Sequence, residues 1–338
     1  MQAQEAGEAS LDLEFSVVSG SNPAMLFGCL ASLHETMRES SYTWRVTVIC
    51  NGAGGGLAAR VRDAYPDARV FENDRVKGFA ENHNVVLRVS EARYVWILND
   101  DLIILPGSIE RVTQFLDAPG NARVAVASPR LLNPDGTLQP STYGFPSMPQ
   151  ILLAHSGLRE RSVTEAALRR LAPLLRPRAG ESRFWAHDRT VEVETLRGAC
   201  VAVRAEAVRT VGLMTEVARV GAEETEWHRR FARAGWKVTF IADAAVIHYG
   251  SQTVGKEGAA NYPEYLKGAL HFFRSDRAAP VYRLYCIALL GLFTVRAAFN
   301  LVTLDRNGFR LARRYFGVAW KGLFVGDENV PAGARDQV

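Results

Sequence analysis

The stretch Trp96-Ile97-Leu98-Asn99-Asp100-Asp101-Leu102-Ile103-Ile104-Leu105 lodges two acids between apolar runs. Desolvating a pair of carboxylates is costly unless something cationic meets them. Carboxylate oxygens at a strand end suit Mg2+ or Mn2+, ions that keep water and substrate phosphate among their ligands. The same residues also suit a plainer role, one acid capping the next helix while the other faces water. A second acidic group, Glu223, Glu224 and Glu226, falls in the first turn of an expected helix, where the macrodipole favours acids whatever the function. His248 closes an apolar run, where an imidazole can ligate a metal or serve as a hydrogen-bonded structural residue.

The elements that must position these groups alternate. Apolar runs at 13–19, 45–50, 68–73 and 94–99 read as strands, and helical patterns at 23–38, 56–64 and 79–90 separate them. Asn22-Pro23 supplies an N-cap and first helical position. Such alternation implies βαβ units and a parallel sheet covered on both faces. A helix to about 117, a strand at 123–128 and a turn at Asn133-Pro134-Asp135-Gly136 follow. Residues 143–190 read as an inserted, partly mobile region. Order returns over 191–208, then a helix over 223–234 and strands over 237–241 and 244–248 close the fold. From Tyr262 onward the pattern is helical.

Ligands of open parallel sheets sit beyond the carboxyl ends of the strands. Ser19 to Asn22, Asn51 to Gly56, Asn73-Asp74 and Asn99 to Asp101 leave polar or glycine residues at such ends. The glycine loop lacks both G-x-G-x-x-G and the P-loop lysine, so it reads as a turn, and a dinucleotide oxidoreductase is excluded for want of its fingerprint. Four scattered cysteines without a C-x-x-C pair argue against a disulfide framework or zinc site and for a reducing compartment. The acidic N-terminus lacks the apolar core of a signal peptide, so a cytosolic protein is expected. A net charge of +4 is too small to imply nucleic acid. Its distribution is uneven, since residues 274–321 carry nine Arg or Lys against two Asp.

Taken in order, the motifs resemble glycosyltransferase family 2, in particular its bacterial rhamnosyltransferase and galactofuranosyltransferase branch. The resemblance covers about residues 13–250. It runs through "FENDRVKGFAENHNVVL", "ILNDD", "LLNPDGTLQPS", "LRGACVAVRAEAV" and "EETEWHRRFARAGWKV". It implies an α/β chain of GT-A type: a Rossmann-like, mostly parallel sheet flanked by helices, with a C-terminal helical extension. The expected division is a leader (1–12), a nucleotide-sugar-binding half (13–105), an acceptor and catalytic half (106–250) and a helical, membrane-associating region (251–338).

Carried onto this chain, the resemblance implies that Asp101 holds Mg2+ or Mn2+ on the donor diphosphate, with Asn99 or Asp100 assisting. His248 would be a further metal ligand and Glu224 the general base of an inverting sugar transfer. Asn73, Gly78 and Asn84 would belong to the donor side, Ser19 and Asn51 would lie near the nucleoside, and Gly198 and Ala199 would line the reaction centre. Elementary chemistry asks for the same parts. A sugar hydroxyl attacks well only as a base takes its proton, and a diphosphate departs readily only when its growing charge is offset. Two positions depart from the pattern. Cys50 stands where an Asp reads the base, and Glu224 stands where the base is usually Asp. The donor expected from the branch is dTDP-rhamnose, with UDP sugars next, and the acceptor a glycan or a polyprenyl-diphosphate-linked glycan. A catalytically degenerate module that holds a nucleotide or glycan is the alternative.

Beyond residue 262 the uncharged run 284–295 is only twelve residues between Arg283 and Arg296, too short to span a bilayer. The segment 305–324 spaces Arg306, Arg310, Arg313, Arg314 and Lys321 along one side and Phe309, Phe316, Trp320 and Leu323 along another. That pattern fits a helix lying on the anionic inner face of the cell membrane; the alternative is one packing on the domain or on a second copy of the chain in a homodimer.

Overall fold

The computed structural model describes residues 11–20, 22–52, 54–156, 187–217, 221, 223–250 and 262–324. It divides into two compact units, the first formed by 1–144, 178–216 and 227–256 and the second by 145–177, 217–226 and 257–338.

The first unit alternates strands β1 (Leu13–Ser19), β2 (Trp44–Asn51), β3 (Arg69–Asn73) and β4 (Tyr94–Asn99) with helices α1 (Pro23–Met37), α2 (Leu57–Ala64) and α3 (Phe79–Val89). After β4 come β5 (Leu102–Ile104), α4 (Ser108–Asp117), β6 (Val124–Leu132), β7 (Leu138–Gln139) and β8 (Thr142–Tyr143). The expected ordered run 191–208 divides into β9 (Val191–Glu192), β10 (Thr195–Leu196), β11 (Cys200–Arg204) and helix α6 (Ala205–Val211), with α5 assigned to the second unit below. Helix α7 (Glu223–Arg233), whose residues up to Glu226 are grouped with the second unit, precedes β12 (Lys237–His248).

The main sheet has the order β3-β2-β1-β4-β11-β6-β12-β5. Its first four strands are parallel, β11 runs antiparallel between β4 and β6, and β12 is parallel to β6. Because β4 and β6 share β11 as neighbour, the stretches 13–105 and 106–250 build one sheet rather than two separate halves. β1 is central and therefore buried on both faces: Leu13, Phe15 and Val17 enter one core, while Glu14 and Ser16 are buried on the other side. The two cores lie on opposite faces, one built with α1, α2 and α4, the other with α3, α6 and α7.

Three local expectations are corrected. Asn22 makes no side-chain cap bond, so Pro23, whose missing N–H costs nothing there, opens α1 without it. The strands expected at 237–241 and 244–248 are one, because the polar break at Ala242-Asp243 is absorbed as a slip in the pairing with β6 between Ile241 and Ala245. Asp12, placed with the leader, is tied down: it accepts from the Thr43 backbone at 2.9 Å and pairs with Arg93 at 2.8 Å. Residues 1–10 and 157–186, most of the leader and much of the expected insertion, lie outside the described residues.

The second unit is helical: α5 (Met148–His155), α8 (Tyr262–Asp276), α9 (Ala279–Val302) and α10 (Arg306–Phe324). Ser147 opens α5 as a capping box, its N–H donating to Gln150 Oε1 at 3.0 Å. Phe272, Phe273, Tyr285, Leu289, Phe293 and Tyr315 form the core. Helix α9 is twenty-four residues, about 36 Å, so both flanking arginines fall inside it. Arg296 turns its guanidinium to the carbonyl of His155 at 2.8 Å. By length and composition α9 is thus long and apolar enough to cross a membrane, which counting only the uncharged run did not show. In α10 the buried face is Ala312, Tyr315 and Ala319, whereas the aromatic side is part-exposed and Trp320 is 50% exposed. Small residues let the helix approach its neighbours, and the bulky stripe is left at the rim.

Candidate active site

The turn between β4 and β5 carries Asn99, Asp100 and Asp101, and the pairing of β5 with β12 sets His248 opposite Leu102. The Tyr249 N–H donates to the Asp101 carbonyl at 2.9 Å, fastening the end of β12 to that turn. His248 Nε2 therefore lies 3.3 Å from Asp101 Oδ1 and 3.3 Å from Asn99 Nδ2. Asp101 Oδ1 is buried and accepts no hydrogen bond among the described residues. An orphaned buried carboxylate oxygen beside an imidazole nitrogen fits a hard divalent cation, and an O,N donor pair suits Mn2+ or Mg2+. Among the described residues there is no group of three or more His, Cys, Asp or Glu suited to hold a metal. The protein's share at this place is small, as expected where water and substrate phosphate complete the ligand set.

Asp100 turns the other way. Ser19 Oγ, at the end of β1, donates to Asp100 Oδ2 at 2.7 Å. Burial pushes the Asp100 carboxyl up to about 6, a rise that the Ser19 bond opposes and the charge of Asp101 reinforces. Gly198 and Ala199 are also brought here, since the Asn99 N–H donates to the Ala199 carbonyl at 2.9 Å.

The asparagines form a separate network. Asn51 Oδ1 accepts from the Lys77 N–H at 2.8 Å and from Asn73 Nδ2 at 3.0 Å. Asn82, which sequence reading passed over, accepts from Asn73 at 2.6 Å and donates to the carbonyl of Gly78, its neighbour one helical turn back, at 2.8 Å. Its position four residues after Gly78 is the signal that could have found it. Gly52 needs to be glycine: its φ is +66°, and a Cβ would meet Val76 Cγ2 at 2.7 Å. Together these bonds fix the loop between β3 and α3. Asn84 is not part of them. Its amide bonds the Met214 carbonyl and N–H and the Glu216 carboxylate, at 2.9, 3.1 and 2.8 Å, so it clamps the segment after α6. Cys50 packs in the core with Val46 and Val48, with its thiol raised by burial.

At the start of α7, Glu223 and Glu226 are buried and Glu224 is half-buried. The Gly221 N–H donates to Glu223 Oε2 at 2.6 Å, and burial, then the Glu224 charge, push the Glu223 carboxyl well above the usual carboxylate range. Of the three acids, Glu224 has the exposure to meet a substrate.

A family model described as glycosyltransferase like family 2 matches residues 23–262, and the chain belongs to that family of enzymes. Among characterised relatives, it is 25% identical over 245 residues to an N-acetylglucosaminyl-diphospho-decaprenol L-rhamnosyltransferase of Mycobacterium tuberculosis, represented in strains CDC 1551 and H37Rv. The match covers 67% of this chain and 73% of the relative. Similar solved structures include the mannosyltransferase PcManGT from Pyrobaculum calidifontis in complex with GDP-Man and Mn2+. That alignment has 15% identity and a TM-score of 0.49, and covers 92% of this chain and 87% of the other. GalNAc-T7 with UDP, GalNAc and Mn2+ aligns at 14% identity and a TM-score of 0.48, over 71% of this chain and 44% of its own.

Proposed function

We propose that this glycosyltransferase is metal-dependent and inverting, and moves rhamnose from dTDP-rhamnose to a glycan or lipid-linked acceptor in bacterial cell-surface polysaccharide assembly. The unpartnered Asp101 Oδ1 beside His248 Nε2 carries the metal dependence. The rhamnosyl donor and lipid-linked acceptor are supported by the mycobacterial relative, whose name specifies rhamnosyl transfer and a diphospho-decaprenol acceptor.

Asp101 and His248, with Asn99 beside them, would hold the cation, which when bound offsets the charge growing on the departing diphosphate. The rest is work for the chain's own groups. Ser19 holds Asp100 in place, and the Asn51–Asn73–Asn82 network holds the donor-side loop rigid. Glu224 takes the acceptor hydroxyl's proton as its oxygen bonds to the anomeric carbon, while the bond from that carbon to the diphosphate breaks on the opposite face. Configuration inverts without a covalent intermediate. A nucleotide-release assay across dTDP-rhamnose, UDP sugars and GDP-mannose tests this. dTDP-rhamnose should be consumed only with acceptor and Mn2+ or Mg2+, and EDTA should stop it. Turnover unchanged by EDTA would remove the metal. Calorimetric binding of a donor that is never consumed would instead favour a binding module.

The second unit supports residence on the cytoplasmic face of the cell membrane. Only 28% of the most apolar window of α9 is buried, so beside the face that enters the core the helix keeps an exposed apolar one. Val281, Leu284, Ile287, Val295, Phe299 and Val302 recur at helical spacing and are 44% to 82% exposed. Arg306, Arg310, Arg313, Arg314 and Lys321 of α10 are exposed as well, a charge pattern complementary to anionic lipid. Co-sedimentation with phosphatidylglycerol vesicles should be strong at low salt, weaken in high salt and fall with Leu284→Ser/Val295→Ser. A protein that ignores such vesicles and forms a dimer broken by those changes would show a subunit interface instead.

A further inference from the structure

Behind the ring of His248 stands Gln139, from the short strand that follows the Asn133-Pro134-Asp135-Gly136 turn. Its Oε1 lies 2.5 Å from His248 Nδ1. Which way a glutamine amide points follows from its other bonds. Here Nε2 donates to Asn133 Oδ1 at 3.0 Å and to the His248 carbonyl at 3.4 Å, while Oε1 also accepts from Arg197 Nη1 at 3.4 Å. Arg197 is itself held by Tyr143 Oη at 3.0 Å. Reversing the amide would set its NH2 against a guanidinium and its oxygen against two acceptors. The orientation is therefore fixed, and Nδ1 of His248 must carry the proton. In the neutral imidazole Nε2 then presents its lone pair towards Asn99 Nδ2 and towards Asp101 Oδ1, which has no hydrogen-bond partner among the described residues, both at 3.3 Å. Two lone pairs at that separation repel unless a positive charge lies between them.

We infer that Gln139 is a positioning residue for the cation site: it locks the Nδ1–H form and the ring orientation of His248, so that Nε2 stands ready as a metal ligand. This rests on the reading of Asp101 and His248 as metal ligands. Outer partners that fix a ligating imidazole are typically worth 10–100-fold in metal affinity. Gln139 was legible only as part of a hairpin, because its histidine lies far along the chain.

The test is Mn2+ binding to the full chain without donor, by calorimetry and by pulsed EPR, which detects imidazole nitrogen coupled to the metal. Gln139→Leu should weaken Mn2+ by roughly 10–100-fold and diminish the nitrogen coupling. Gln139→Glu, whose carboxylate can accept the same Nδ1–H bond but gives up the bonds to Asn133 and the His248 carbonyl, should recover part of both. Should the leucine variant fail to fold, Gln139→Asn, which keeps the amide but falls one methylene short, takes its place. Wild-type affinity and coupling in Gln139→Leu, with binding lost in Asp101→Ala, would overturn the inference and leave the metal reading standing. Equal losses in the Leu and Glu variants would reduce Gln139 to a packing role. Wild-type Mn2+ affinity in both Asp101→Ala and His248→Ala would overturn the metal reading itself.

Discussion

An Asp101→Ala protein should lose Mn2+-dependent donor binding and transfer sugar about 10³-fold more slowly, the effect of removing roughly 4 kcal/mol of charge stabilisation from the departing diphosphate. The loss is large because Asp101 Oδ1 is buried, has no hydrogen-bond partner among the described residues, and faces His248 Nε2 at 3.3 Å. Thermal unfolding gives a second readout through the linkage of metal to Asp100. That carboxyl titrates near 6 when folded against an ordinary 3.8, so the folded state binds the extra proton. Stability contributed by Asp100 therefore falls as pH rises through 3.8 to 6, and by pH 7 the ionised group costs about 3 kcal/mol. A nearby cation favours the ionised form, so the Mn2+-induced rise in Tm should be larger at pH 7.5 than at pH 5. In Asp101→Ala that rise should disappear at both. An Asp101→Ala protein with the wild-type Mn2+ shift and turnover would show that the cation binds elsewhere.

The sequence made the frame of this site legible and left its pairings hidden. β4 was readable to the residue because Tyr94 to Leu98 is an apolar run that ends where Asn99-Asp100-Asp101 begins, a purely local signal. The resemblance to the family named Asp101 and His248 separately. What joins them is the antiparallel pairing of β5 with β12, a long-range contact that no window of sequence contains. Ser19 and Asp100 likewise meet only because β1 and β4 are neighbours. Asn84 looked like one more donor-side asparagine, yet its side chain points across the chain to Met214 and Glu216. Its chemistry is indifferent to role, and only the direction of the amide assigns it. In α9 the two arginines broke the apolar count, and the structure shows Arg296 spending its guanidinium on the His155 carbonyl.

Glu224→Gln should lower transfer by roughly 10²–10⁴-fold, the range for removing a general base, while donor affinity stays at the wild-type value. The three acids opening α7 are chemically alike, and their surroundings separate them. Glu226 is buried. Glu223 accepts the Gly221 N–H and is pushed toward its neutral form by burial and by the Glu224 charge, which makes it a poor acceptor of a proton near neutral pH. Glu224 is the half-buried member, able to meet water or a sugar hydroxyl. Replacing Glu224 with Gln keeps size and hydrogen-bonding capacity but removes the basic oxygen, so the loss should fall on kcat and the acid limb of its pH profile should vanish. Glu224→Asp, the residue usual in the family, should retain most activity if the reach can be made up by the acceptor. Glu223→Gln should be mild in turnover, since a group already held neutral loses little by becoming an amide. The reverse result, normal turnover in Glu224→Gln and collapse in Glu223→Gln, would move the base one residue back along the helix.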